Sequence, residues 1–236
     1  MLTLTQVQNK SSAKLAGLNP AVHSAAAALI ERCYACGIPI LITQGLRTAA
    51  EQEALYAQGR TKPGAVVTNA RGGYSYHNYG LAVDFALLLP DGKNVSWDML
   101  RDGNEDRLTD WEQVVQIAKT LGFEWGGDWS GFRDYPHLQM TFGLALDRLR
   151  AGEWPSRAAM ATVNDLLKKE DNIIKEEEAI VAVHVNGVKA ADGVLDKGIT
   201  YVPARLLAEA IGAKISYDPK SRTVDITLAS EKAKFF

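Results

Sequence analysis

Ser75-Tyr76-His77-Asn78-Tyr79-Gly80-Leu81-Ala82-Val83-Asp84 runs on into Phe85-Ala86-Leu87-Leu88, and residues 82–88 alternate. Ala82, Asp84 and Ala86 fall on one face, and Val83, Phe85 and Leu87 on the other, which is the period of a β-strand. Asp84 is out of place in so apolar a strand. A lone carboxylate there loses its hydration or takes up a proton. It needs a cation, and the strand holds no Lys or Arg. A metal ion shared with a nearby histidine is one sufficient partner, and the small Ala82 and Ala86 leave room for it beside Asp84.

A second unusual histidine lies in Asp134-Tyr135-Pro136-His137-Leu138-Gln139. Pro136 biases Tyr135 toward extended or polyproline geometry. With about three residues per turn in that geometry, Asp134 and His137 point the same way. Two histidines and one aspartate make a three-ligand site, the usual protein share of a catalytic zinc that keeps one water. Zinc lowers the pKa of such a water to about 7. Asp134, beside the metal without binding it, can take the water's proton and pass it to a leaving amine. Arg47 sits at the turn into a capped helix, a good place for negative charge, where it can hold a developing oxyanion.

Working outward, residues 20–36 read as a helix, with Asn19 as N-cap, Pro20 in the first turn and Gly37 at the end. Pro39 to Thr43 reads as a short buried strand. Thr48-Ala49-Ala50-Glu51 is a capping box opening a helix to about Gln58. Thr109-Asp110-Trp111-Glu112 is expected to be another, opening a helix whose stripe is Trp111, Val114, Val115, Ala118 and Leu121. His137 to Met140 is a further strand.

The pattern changes after Trp154-Pro155. Residues 157–178 are polar and charged and read as a linker, partly helical. From 179 to 236 the chain is β-rich, with a hairpin signal at Asn186-Gly187, a helix from Pro203 to Ile211, and strands at Ala213–Tyr217 and Thr223–Leu228 around the turn Asp218-Pro219-Lys220-Ser221. The expected organisation is therefore an α+β domain over 1–156, a linker, and a small α+β domain over 179–236.

Composition excludes other classes. The 236 residues are 47% hydrophobic and 23% charged, with 26 Lys/Arg against 28 Asp/Glu. A net charge of −2 argues against nucleic acid and against an anionic membrane surface as the partner. No apolar run approaches the roughly 20 residues that span a bilayer. The first residues lack a positive region followed by an apolar core, so the expectation is synthesis in a bacterial host cytoplasm without a signal peptide. The two cysteines, Cys33 and Cys36, cannot complete a four-cysteine zinc site and read as small core residues of the first helix. His23 and His184 read as structural or surface residues. The acidic stretch from Asp98 to Glu112 reads as a solvated loop and helix start.

The blocks Ser-x-His-x-x-Gly-x-Ala-x-Asp (75–84) and Asp-x-Pro-His (134–137) resemble the zinc D-alanyl-D-alanine carboxypeptidase family, most closely its L-alanyl-D-glutamate endopeptidase branch of phage endolysins and cell-wall hydrolases. Gly45-Leu46-Arg47-Thr48, Glu51-Gln52, Leu55-Tyr56, Gly59-Arg60 and Trp125-Gly126-Gly127-Asp128-Trp129 match in the same order. The resemblance implies the fold of the hedgehog and D-Ala-D-Ala peptidase type. It implies His77, Asp84 and His137 as zinc ligands, Asp134 as acid/base, Arg47 on the carbonyl or oxyanion, and Ser75 in contact with substrate. Trp129, with Trp125, either lines the substrate groove or packs beside it.

The implied activity is metal-dependent cleavage of the L-Ala–D-Glu amide of bacterial peptidoglycan, on the wall, after release from the cell. The alternatives are a D-Ala-D-Ala carboxypeptidase or dipeptidase, and a zinc-stabilised binding module without catalysis. Val185-Asn186-Gly187, Thr200 to Arg205, Gly212-Ala213-Lys214 and Asp218 to Ile226 resemble the copper amine oxidase N-terminal-like stalk domain, which implies no copper site here and suggests wall binding or spacing.

Overall fold

The computed structural model describes residues 2–228, apart from 178, 197, 198 and 220. Glu178, the turn residue Lys220 and the last eight residues of the expected 179–236 domain lie outside the described residues. The chain divides into two compact units, 1–168 and 169–236.

The first unit opens with helix α1 (Leu4–Leu15), followed by α2 (Pro20–Ala35), β1 (Ile40–Gln44) and α3 (Ala49–Ala57). Then come β2 (Ala82–Leu88), β3 (Val95–Ser96), α4 (Asp110–Thr120), β4 (Glu124–Trp125), β5 (His137–Gln139) and α5 (Leu146–Arg150). The strands form one antiparallel sheet in the order β1-β2-β5-β4, with β3 also on β2.

One face of β2 is buried against the helices. Val83, Phe85 and Leu87 join Val22, Leu29 and Ile30 of α2 and Trp111, Val114 and Val115 of α4 in a single core, with the Phe85 and Trp111 rings 4.6 Å apart. The other face carries Asp84 between Ala82 and Ala86, as the alternation predicts. Since successive side chains of a strand point to opposite faces, the rigid core behind Phe85 fixes the direction of Asp84.

Helix α1 is not anticipated from the apolar pattern. Its start is a capping box, with the Gln6 N–H donating to Thr3 Oγ1 and the Thr3 N–H to Gln6 Oε1. The fully buried Ser11 Oγ accepts from the Ile42 N–H of β1. There β1 steps out of register, Ile42 facing Phe85 but Gln44 facing Asp84, a bulge at Thr43.

Thr48 and Glu51 form the expected box on α3. The expected box at Thr109 does not form, because Thr109 makes no side-chain capping bond. The Asp110 carboxylate instead accepts from the Gly103 N–H and pairs with Arg101, holding the preceding loop. Cys33 is buried in α2, as expected, but Cys36 is exposed at the helix end.

Most of the range expected as a linker is one helix, α6 (Arg157–Glu177). Its first turns pack on the core through Val163, Met160 and Leu167. The second unit has a three-stranded antiparallel sheet, β6 (Ala179–Val185), β7 (Val188–Asp196) and β8 (Ile199–Tyr201). Helix α7 (Ala204–Ala210) and the antiparallel pair β9 (Ala213–Asp218) and β10 (Thr223–Leu228) follow. Asn186 and Gly187 both take positive φ, as the hairpin signal requires. Among the described residues, no helix is long and apolar enough to cross a membrane.

Candidate metal and catalytic centre

Asp84 and His137 face each other across the β2–β5 pair. His77 reaches the same point from a 3₁₀ turn, Tyr76–Tyr79, that Gly80 ends in a left-handed conformation (φ 66°). Three hydrogen bonds tie this turn to the loop after β1. His77 Nδ1 donates to the Gly45 carbonyl (2.8 Å), the Arg47 N–H to the His77 carbonyl (3.1 Å), and Asn78 Nδ2 to the Arg47 carbonyl (2.9 Å). Only glycine fits at 45, since a Cβ would lie 1.8 Å from the Lys14 carbonyl of α1.

The three candidate ligand atoms converge. His77 Nε2 and His137 Nδ1 are 3.2 Å apart, and they lie 3.1 and 3.2 Å from Asp84 Oδ1. The far ring nitrogens are committed elsewhere, His77 Nδ1 to Gly45 and His137 Nε2 to Gln139 Oε1 (3.0 Å). Each far nitrogen faces an acceptor and so carries the proton. In the neutral rings, both inward nitrogens therefore present lone pairs toward a carboxylate oxygen. Such a cluster repels itself unless a proton or a cation occupies its centre. A nitrogen–nitrogen–oxygen set of this kind suits zinc, so the residues fit the metal that the motif implies. No other group of three or more metal-ligating side chains occurs among the described residues.

The electrostatics agree. Burial pushes the Asp84 carboxyl up, but the two facing imidazoles pull it down further, well below the usual carboxylate range. Burial lowers the His137 ring, while the hydrogen bond and charge of Asp84 raise it more, to a net upward shift. Asp134 moves up, first through burial and then through the Asp84 charge, against opposing pulls from His137, His77 and Arg47.

Above the cluster lies a groove of about 690 Å³ lined by Arg47, Ser75, Trp129, Phe132 and Asp134, among others. Asp134 and His137 do share a side, but not through polyproline geometry. Tyr135 and Pro136 form a turn closed by the His137 N–H on the Asp134 carbonyl (3.2 Å). The turn leans on Gly126, where a Cβ would meet the Asp134 carbonyl at 2.4 Å.

The two tryptophans separate. The Trp129 ring lies 5.2 Å from His137 and lines the groove, whereas Trp125 Nε1 donates to the Tyr135 carbonyl (2.7 Å) and braces the turn from outside. Ser75 lines the groove wall, its N–H bonded to Asn78 Oδ1. His23 and His184 are exposed, and neither belongs to the cluster.

Arg47 lies 3.7 Å from Asp84 Oδ2 and donates from Nη1 to Gln52 Oε1 (2.8 Å). Gln52, almost fully buried, also donates to the Ala70 carbonyl (2.9 Å) and to Thr68 Oγ1 (3.3 Å). It therefore aims Arg47 and pins one groove wall. Arg60 pins the same wall through the Thr68 carbonyl and Asn69 Oδ1. Sequence reasoning assigned neither residue a role. A glutamine spaced to fall on the inner side of α3, five residues after an arginine, was the available signal for Gln52.

Residues 68–140 match the family model described as D-alanyl-D-alanine carboxypeptidase, and residues 168–236 match that described as copper amine oxidase N-terminal domain. The chain is 58% identical over 123 residues to the peptidoglycan L-alanyl-D-glutamate endopeptidase CwlK of Bacillus subtilis, across 52% of this chain and 73% of that one. It is 35% identical over 152 residues to the L-alanyl-D-glutamate peptidase of Listeria phage A118, across 64% of this chain and about half (48%) of the phage protein. Among solved structures, the L-Ala D-Glu endopeptidase ChiX of Serratia marcescens aligns at 24% identity and a TM-score of 0.41, covering 56% of this chain and 87% of that one.

Proposed function

The chain belongs to the D-alanyl-D-alanine carboxypeptidase family of peptidases, and from that premise we propose that it is a zinc-dependent peptidoglycan hydrolase cutting the L-Ala–D-Glu amide of the stem peptide. The observation that carries this reading is the meeting of His77, Asp84 and His137 at the floor of a groove whose wall holds both Asp134 and Arg47. His77, Asp84 and His137 would hold the zinc, which when bound would supply Lewis acidity toward an amide carbonyl and acidify a water.

The chain's own residues do the rest. Asp134 takes a proton from the attacking water and delivers it to the amide nitrogen as the C–N bond breaks. Its upward-shifted carboxyl makes it the stronger base for the first of these transfers. Arg47, aimed by Gln52, steadies the carbonyl oxygen as that oxygen gains negative charge. Trp129 and Ser75 hold the peptide across the groove. An acid/base beside the ligand cluster is what a purely structural zinc site does not need, so the binding-module reading is the weaker one.

The test is mass spectrometry of purified peptidoglycan after digestion, with and without chelator. The expected product is a new N-terminal D-Glu on the stem, lost on chelation and restored by zinc. Release of free D-Ala would replace the reading with a carboxypeptidase. The second unit serves, on this reading, to hold the enzyme on the wall. A chain ended at Lys168 keeps turnover of a soluble stem peptide but stays in the supernatant when walls are sedimented. Co-sedimentation equal to that of the full chain would refute the wall-binding role.

A further inference from the structure

The two histidines of the cluster are oriented by different means. His77 is locked by a main-chain carbonyl. His137 is locked by a chain of side chains. Gln139, two residues on and on the same face of β5, presents Oε1 to His137 Nε2 at 3.0 Å. Its amide nitrogen donates to Glu124 Oε2 at 3.1 Å, directly across the β4–β5 pair. The other carboxylate oxygen of Glu124 accepts from Thr141 Oγ1 at 2.6 Å.

Direction runs one way along this chain. A carboxylate only accepts, so Gln139 must turn its NH₂ toward Glu124 and its oxygen toward His137. A carboxamide oxygen also only accepts, so Nε2 of His137 must carry the proton. The lone pair is then left on Nδ1, the nitrogen that faces Asp84 and His77. Gln139 is buried and has room because its other cross-strand neighbour is Ala82.

We propose that Glu124, through Gln139, is a positioning residue that selects the metal-binding tautomer of His137. It touches neither substrate nor reacting atoms. The inference rests on His137 being a metal ligand, as the proposed function has it. Its effect should be large on metal affinity, because outer partners of ligating histidines typically govern about 10- to 100-fold in binding or activity.

The experiment pairs Glu124→Gln with the swap Glu124→Gln/Gln139→Glu. The single change is nearly isosteric, but a carboxamide at 124 offers both a donor and an acceptor, so Gln139 is free to flip. The swap restores the polarity, with a donor at 124 and a carboxylate at 139 accepting from His137. Two readouts are taken. The first is ring ¹⁵N spectra of the metal-free proteins in alkaline buffer. The second is zinc affinity by competition with a chromophoric chelator.

Wild type should show His137 as the Nε2–H tautomer alone. Glu124→Gln should show a mixture and a roughly 10-fold weaker zinc affinity. The swap should return a single Nε2–H form and wild-type or tighter zinc. An unchanged tautomer in Glu124→Gln overturns the proposal, whatever the affinity does. So does zinc loss that the swap does not recover, which would make Glu124 only a tie between strands. Wild type that binds no zinc would instead sink the proposed function, while the metal-free spectra still decide the tautomer.

Discussion

The first unit buries its large apolar side chains in a core, whereas those described in the second are half-buried or exposed. In the first, Leu29, Ile30, Phe85, Trp111 and Leu138 are all but fully buried. In the second, the buried hydrophobic side chains among the described residues are Ala191, Ala208 and Ala213, while Ile180, Val188, Tyr201, Tyr217, Ile226 and Leu228 are exposed. Burial yields about 25 cal/mol per Å² of apolar surface, so most of the stabilisation by burial belongs to the first unit. The difference has a functional reading. The three candidate ligand atoms are kept within 3.2 Å of one another against a stiff backing, the Phe85–Trp111 layer behind β2.

That contrast can be broken most decisively at Asp134. Asp134→Asn should lower peptidoglycan turnover by about 10²- to 10⁴-fold, the usual share of a general acid/base, while sedimentation with walls stays at the wild-type level. Loss of both together would mean that the two units do not divide the work. Next in size, Phe85→Ala should cost about 3–5 kcal/mol in denaturant unfolding. A cost below 1 kcal/mol, measured the same way, would show that the core is not the source of stability.

The third test is pH with metal removed. The His137 ring titrates higher in the fold than its unfolded value of about 6.5, so its contribution is complete below that value and is lost as pH rises through the folded one. Asp84 titrates lower in the fold than its unfolded value of about 3.9, so its contribution is present above that value and is lost as pH falls through the folded one. Thermal unfolding in chelator should therefore give a melting temperature that falls as pH rises above about 6.5. The gain on adding zinc should grow over the same range, because zinc and the proton compete for His137. A chelated melting temperature that is flat or rising there would contradict the cluster. The smallest effect is expected in the second unit. Ile226, 48% exposed, should cost within about 0.5 kcal/mol when changed to alanine. A cost several times larger would mean that this face is covered in solution.

The elements that position the site were the most legible in the sequence, for a physical reason. The alternation at 82–88, the Asn19–Pro20 helix start and the Thr48–Glu51 box are local patterns with local causes, and each formed as read. What escaped depends on distant partners. Thr109 resembles a cap by its spacing from Glu112 but makes no side-chain capping bond, and it is Asp110 that holds the preceding loop through the Gly103 N–H. The α6 stripe of Met160, Val163 and Leu167 is diluted by charges and is revealed by the core it meets. Helix α1 was signalled by its Thr3–Gln6 box but not by a strong apolar stripe. Within the site, charged and imidazole groups announced themselves because their burial needs a reason. The amides of Gln52 and Gln139 did not, since an amide acquires direction only from the groups at its two ends.

The bond from His77 to the Gly45 carbonyl has a consequence for how this centre can change over generations. A main-chain acceptor is written into every residue alike, so substitution at position 45 cannot remove it, and the approach of Lys14 keeps glycine there in any case. That arm of the site is closed to variation. The other arm runs through side chains that single codon changes can alter. On the proposed function, a directed library would act on metal loading through the side chains around His137, while His77 keeps its main-chain anchor.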